Sequence, residues 1–119
     1  MKENIKNLVK KRYLSRKEER ALNKLITEIR GRWPGAKLKL FGSKVTGEFD
    51  EESDVDILIV LPGKVSQKTR KQIIGIVFEI NLELGSNISP LILSKDEWET
   101  GLVPLLPIYY YIEKEGVSL

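Results

Sequence analysis

Asp54 and Asp56 stand two residues apart at the head of an apolar, β-branched run, Val55 to Leu61. Side chains alternate across a strand, so both carboxylates point to one face, about 6.5 Å apart. Like charges held that close repel, and one takes up a proton unless a cation lies between them. A divalent metal removes the conflict, and hard oxygen donors of this kind suit Mg²⁺ or Mn²⁺. The second chemically loaded pair is Gly42-Ser43, which ends the apolar run Leu38 to Phe41. After a strand, Gly lets the backbone turn sharply or approach a ligand closely. Ser43 is the expected N-cap of one helical turn, Lys44-Val45-Thr46, closed by Gly47. A helix start presents unpaired N–H groups and a positive dipole end, which together attract phosphate. Gly42, Ser43 and Lys44 are therefore the candidate nucleotide-binding residues, and Asp54 and Asp56 the candidate metal ligands. Either pair alone is usually a plain turn or a solvated strand end. In this order, they outline a nucleoside-triphosphate site.

The full pattern is Gly42-Ser43, the ten residues Lys44–Ser53, then Asp54-Val55-Asp56 opening an apolar strand. It resembles the nucleotidyltransferase superfamily of DNA polymerase β, in particular its minimal single-domain members, over roughly residues 15–117. The resemblance implies an α/β (α+β) fold, a small mixed β-sheet with helices packed on one side. It also implies Mg²⁺-dependent transfer of a nucleoside monophosphate, AMP from ATP, to a hydroxyl, with Asp54 and Asp56 as catalytic, metal-holding residues. Minimal members often pair with a small helical HEPN-like protein in toxin–antitoxin systems, so such a partner is implied as well. One departure stands out. The superfamily carries a third carboxylate on a later strand, and the matching position here is Ser89. Glu79, Glu83 and Asp96 lie near it in sequence without the motif's spacing. Two readings follow: an active nucleotidyltransferase, or a nucleotide- and partner-binding module that has lost transfer activity.

Composition narrows the chemistry further. The 119 residues include neither His nor Cys, which excludes imidazole acid–base chemistry, Ser-His-Asp triads, disulfides and thiolate metal sites. Any reaction must rest on carboxylates, Lys and Arg, hydroxyls and a bound metal. No apolar run approaches a membrane span and no signal core opens the chain, so the expected location is the cytoplasm. The net charge of +3 is concentrated at the front, in Lys2, Lys6, Lys10, Lys11, Arg12, Arg16 and Lys17. A nucleic-acid patch is one reading of these charges. A solvated helical segment is the preferred one, because no aromatic platform beyond Tyr13 accompanies them.

The elements that would position the site are legible in the pattern. Residues 1–14 are expected to form a basic N-terminal segment with weak helical periodicity, and 15–119 the nucleotidyltransferase domain that the resemblance implies. Ser15 with Glu18 has capping-box spacing, opening a helix to about Trp33 whose Leu22, Leu25, Ile26 and Ile29 face the sheet. Strands are expected over Lys37–Phe41, Val55–Leu61 and Asn87–Leu93, with Pro90 marking a strand start or an edge. A second long helix runs from Ser66 to Leu84 and stops at Gly85. Its first turns carry Lys68, Arg70 and Lys71 against the macrodipole. Ser94 with Glu97 caps a short helix. Beyond it, Leu102 to Ile112, with two prolines and three adjacent tyrosines, is expected to be a packing or partner surface.

Overall fold

The computed structural model describes residues 3–119, which form six helices and a four-stranded sheet. In chain order these are α1 (Ile5–Lys10), α2 (Arg16–Arg32), β1 (Lys37–Phe41), α3 (Ser43–Thr46), β2 (Val55–Leu61) and α4 (Gln67–Leu84). Then come β3 (Ile88–Ser94), α5 (Lys95–Glu99), a 3₁₀ turn (Val103–Leu105), α6 (Pro107–Glu115) and β4 (Val117–Ser118). The strand order is β3-β2-β1-β4. β1 is antiparallel to both β2 and β4, while β3 joins β2 in parallel through the α4 crossover. The sheet is therefore mixed, as expected. No helix among the described residues is long and apolar enough to cross a membrane.

Alternation along the strands sorts the sheet into two faces. Leu38 and Leu40 of β1 join Val55, Ile57, Ile59 and Leu61 of β2 in the main core. Against them pack Leu22, Leu25 and Ile29 of α2 and Ile73, Val77 and Ile80 of α4. The Ser15–Glu18 capping box forms in both directions, and Ser66 caps α4, which ends at left-handed Gly85. The N-terminal segment enters this core: Leu8 and Leu14 are buried in it. The opposite face holds a smaller cluster of Leu58, Val60, Trp98 and Ile112. The long helices thus lie on one side as the pattern implies, and α5 and α6 cover part of the other. α6 was not expected from sequence, because prolines and tyrosines mask its period; Pro107 sits in its first turn, where a missing N–H is harmless.

Two local expectations need correction. The N-cap of α3 is Gly42, at φ +83°, and Ser43 is its first helical residue, with no side-chain cap bond. The chain leaves β1 so abruptly that the turn needs a positive φ, which only Gly adopts cheaply. The Gly42 carbonyl accepts from Val45 N at 3.0 Å and Thr46 N at 3.3 Å, and Gly47 closes the turn in the left-handed region. β3 begins and ends one residue later than expected, at Ile88–Ser94. It is an edge strand, which is why Pro90 is tolerated within it.

Candidate functional site

The site is built where β1 ends and β2 begins. These strands are antiparallel, and register sets Phe41 opposite Asp56. The turn after β1 therefore arrives beside the carboxylates that open β2. Gly42 lies against the second of them: a Cβ added there would collide with Asp56 Oδ2. Close approach and positive φ both exclude other residues at this position. The N–H groups of Ser43 and Lys44 precede the first backbone bond of α3, made by Val45 N. The sheet thus brings Gly42, Ser43, Asp54 and Asp56 together.

Asp54 and Asp56 share the sheet face of Leu58 and Val60, away from α2 and α4. Asp54 is exposed and Asp56 half-buried. Burial, and after it the neighbouring Asp54 charge, pushes the Asp56 carboxyl above the ordinary carboxylate range. Asn87 Nδ2 donates to Asp54 Oδ1, orienting the exposed carboxylate from the turn before β3. The Asn87 carbonyl also accepts from Val55 N at 2.9 Å, so one residue ties β3 to both sides of this strand start. Sequence reasoning missed Asn87, because its role depends on parallel pairing across a crossover.

Two same-face carboxylates with mutual repulsion, one of them held by an amide, fit a hard divalent cation. Mg²⁺ commonly takes only one or two protein carboxylates and completes its shell with phosphate oxygens and water. Among the described residues no cluster of three or more His, Cys, Asp or Glu is placed to hold a metal. Ser89 is the residue opposite Asp56 on β3, and by register it shares that face. The acidic alternatives lie elsewhere. Glu79 and Glu83 belong to α4, on the far side of the sheet, and Glu83 pairs with Lys24. Asp96 follows Ser94, which pairs with Leu61, five residues or about 17 Å along β2 from Asp56.

Lys44 takes a different direction from its neighbours. Its side chain is buried, and its ammonium lies 3.2 Å from Glu18 Oε2 and 4.3 Å over the Phe49 ring. Phe49 meets Tyr13 edge-on at 6.0 Å, and the Tyr13 ring packs so closely on Gly47 that a Cβ there would overlap it. Cation, acid and two aromatics fasten both ends of α3 onto the α1–α2 junction. The Lys44 ammonium thus anchors the loop from beneath.

A family model described as a nucleotidyltransferase domain matches residues 22–115, which include both halves of this site. The chain belongs to the nucleotidyltransferase domain family. Two candidate protein adenylyltransferases of Methanocaldococcus jannaschii are similar to it. One is 43% identical over 56 residues, which is 47% of this chain and 57% of the relative. The other is 42% identical over 45 residues, covering 36% of this chain and 45% of the relative. The matched stretches thus span about half the length of these relatives. Among solved structures, a candidate nucleotidyltransferase from Sulfolobus solfataricus superposes with a TM-score of 0.51 at 21% identity, covering 66% of this chain and 68% of that one. A toxin–antitoxin structure with AMP-PNP reaches 0.56 at 20% identity, covering 81% and 69%. At these identities the structural likeness concerns the fold.

Proposed function

We propose that this nucleotidyltransferase domain transfers AMP from ATP to a hydroxyl of a protein acceptor. The observation that supports this reading is the contact of the Gly42 turn with Asp56, which sets the start of α3 beside one of the two carboxylates. The similarity to adenylyltransferases and to a toxin–antitoxin structure with AMP-PNP supports the choice of donor and of a protein partner. Gly42, Ser43 and the Lys44 backbone hold the triphosphate, while the Lys44 side chain fixes the loop from below. Asp54 and Asp56 would hold Mg²⁺, or Mn²⁺, which would supply charge neutralisation for the phosphates and the pyrophosphate leaving group. The acceptor oxygen bonds to the α-phosphorus as the bond to the pyrophosphate oxygen breaks, and the hydroxyl proton must leave. No carboxylate stands beside Asp56 on β3 to take it, so the isolated domain turns over slowly.

A docked partner supplies the acceptor and excludes water. The tract around α6 suits such a partner, since Leu102 and Leu105 are each 77% exposed and Tyr110 and Tyr111 lie open beside them. A small helical HEPN-like protein is the partner this reading names. The serine opposite Asp56 favours the second reading, a binding module without transfer. Labelled ATP, Mg²⁺ and the co-purifying partner decide between them. AMP added to the partner by the native chain, and not by Asp54→Asn/Asp56→Asn, supports transfer. Metal-dependent ATP binding with an unmodified partner supports the binding module, and unchanged Mg-ATP affinity in the double variant rejects both.

A further inference from the structure

α4 carries an apolar rail that the rest of the fold leaves open. Ile74, Phe78 and Leu82 recur at four-residue steps and are 49%, 62% and 71% exposed. A second exposed rail runs beside it at helical spacing: Lys68, Gln72, Gly75, Glu79 and Glu83. Two properties of this face make poor sense in an isolated chain. The first turn of α4 holds no acid and the last no base, while Lys68 sits near its start and Glu83 near its end. Both signs oppose the helix's own macrodipole. Gly75 lies in the middle of the helix, where Ala is more favourable, yet a Cβ there would meet nothing within 4 Å. One copy of the fold does not require that glycine.

We infer that α4 is a self-association surface that takes a second copy of this chain, the two α4 helices antiparallel about a two-fold axis near Gly75. The charge order of the second rail is complementary to its own reverse. In such a pair Lys68 faces Glu83 of the second copy, Gln72 faces Glu79, and the glycines meet at the crossing. The absent Cβ atoms let the helices approach closely, and Ile74 lies against Phe78 of the second copy. Each basic helix start then lies beside the negative dipole end of the other helix, which reverses the sign of both misfits. Glu83 already pairs with Lys24, but its side chain remains 59% exposed and open to a second cation. The contact is isologous and closes on itself. It lies on the helical side of the sheet, away from Asp54 and Asp56, and stands or falls independently of the proposed activity.

Light scattering coupled to size exclusion on the 119-residue chain tests this. The expected mass is twice the 13.6 kDa of one chain, falling to one chain in Phe78→Glu and in Gly75→Leu. Both positions are exposed, so circular dichroism should report an unchanged fold. Lys68→Glu should weaken association about tenfold at low salt, and Lys68→Glu/Glu83→Lys should restore it. A chain that stays monomeric to millimolar concentration overturns the inference and leaves the rail to a different protein. A dimer that neither Phe78→Glu nor Gly75→Leu dissociates also overturns it.

Discussion

Asp56 is subject to opposing demands, and its stability signature follows from them. In the proposed metal site it must be ionised, yet burial first and the Asp54 charge second push its carboxyl above the ordinary carboxylate range. The folded chain therefore holds this proton more tightly than the unfolded chain. The stability it contributes is complete below the unfolded value, and is lost as pH rises through the raised folded value. At neutral pH without metal, the ionised pair is a standing cost to the fold. Asp56→Asn should therefore melt higher than the native chain at pH 7 in the presence of a chelator, with the gap closing under acid conditions. Differential scanning calorimetry at the two pH values checks it, and a gap independent of pH would mean that charge is not the cause. The same conflict was visible in the sequence, because an i, i+2 spacing on a strand dictates a shared face. Which of the two carboxylates is the shielded one was not, since that depends on Phe41 and Ser89 arriving from neighbouring strands.

At the scale of elements, the start of α2 and the α3 turn are joined through one residue, Glu18. Glu18 Oε1 accepts from Ser15 N at 2.9 Å to complete the capping box, while Oε2 takes the Lys44 ammonium. The two duties separate by substitution. Ser15→Ala removes the cap and leaves the ion pair, and should lower stability by about 1 kcal/mol with nucleotide affinity unchanged. Glu18→Gln keeps a side chain that can still cap α2 but discharges the partner of a nearly buried lysine. It should loosen α3 and weaken nucleotide binding. Chemical denaturation and nucleotide titration on both variants provide the check, and equal affinity losses would merge the two duties into one. Capping boxes are local, so Ser15–Glu18 and Ser94–Glu97 were both legible in the sequence, as were the glycine stops of α3 and α4. The Lys44–Glu18 pair was not, because nothing in local spacing says that residues from α2 and α3 converge.

Over the whole molecule, the two sheet faces differ in how much holds them. The main core draws on α1, α2, α4 and every strand, and its sequence signal was strong because both long helices keep their period. The opposite face rests on Leu58, Val60, Trp98 and Ile112, with the Tyr109 ring tilted against Trp98 at 4.6 Å between centroids. Its signal was weak, because one fully buried isoleucine after three tyrosines, two of them exposed, resembles a loop more than a helix. Ile112 is fully buried there and is the only residue of α6 in that class. Ile112→Ala should remove about 2–5 kcal/mol of local packing. The main core does not share this cluster, so the loss should fall on α6 and on the exposed tract it carries, and the Gly42–Asp56 site should be spared. Hydrogen exchange should then show α6 amides losing protection while those of β1 and β2 keep theirs. ATP binding should persist while partner capture declines. Equal loss of protection in α6 and in β1 and β2 would instead mean that the sheet's two faces open as one unit, and that the α6 tract cannot be released without the β1–β2 pair.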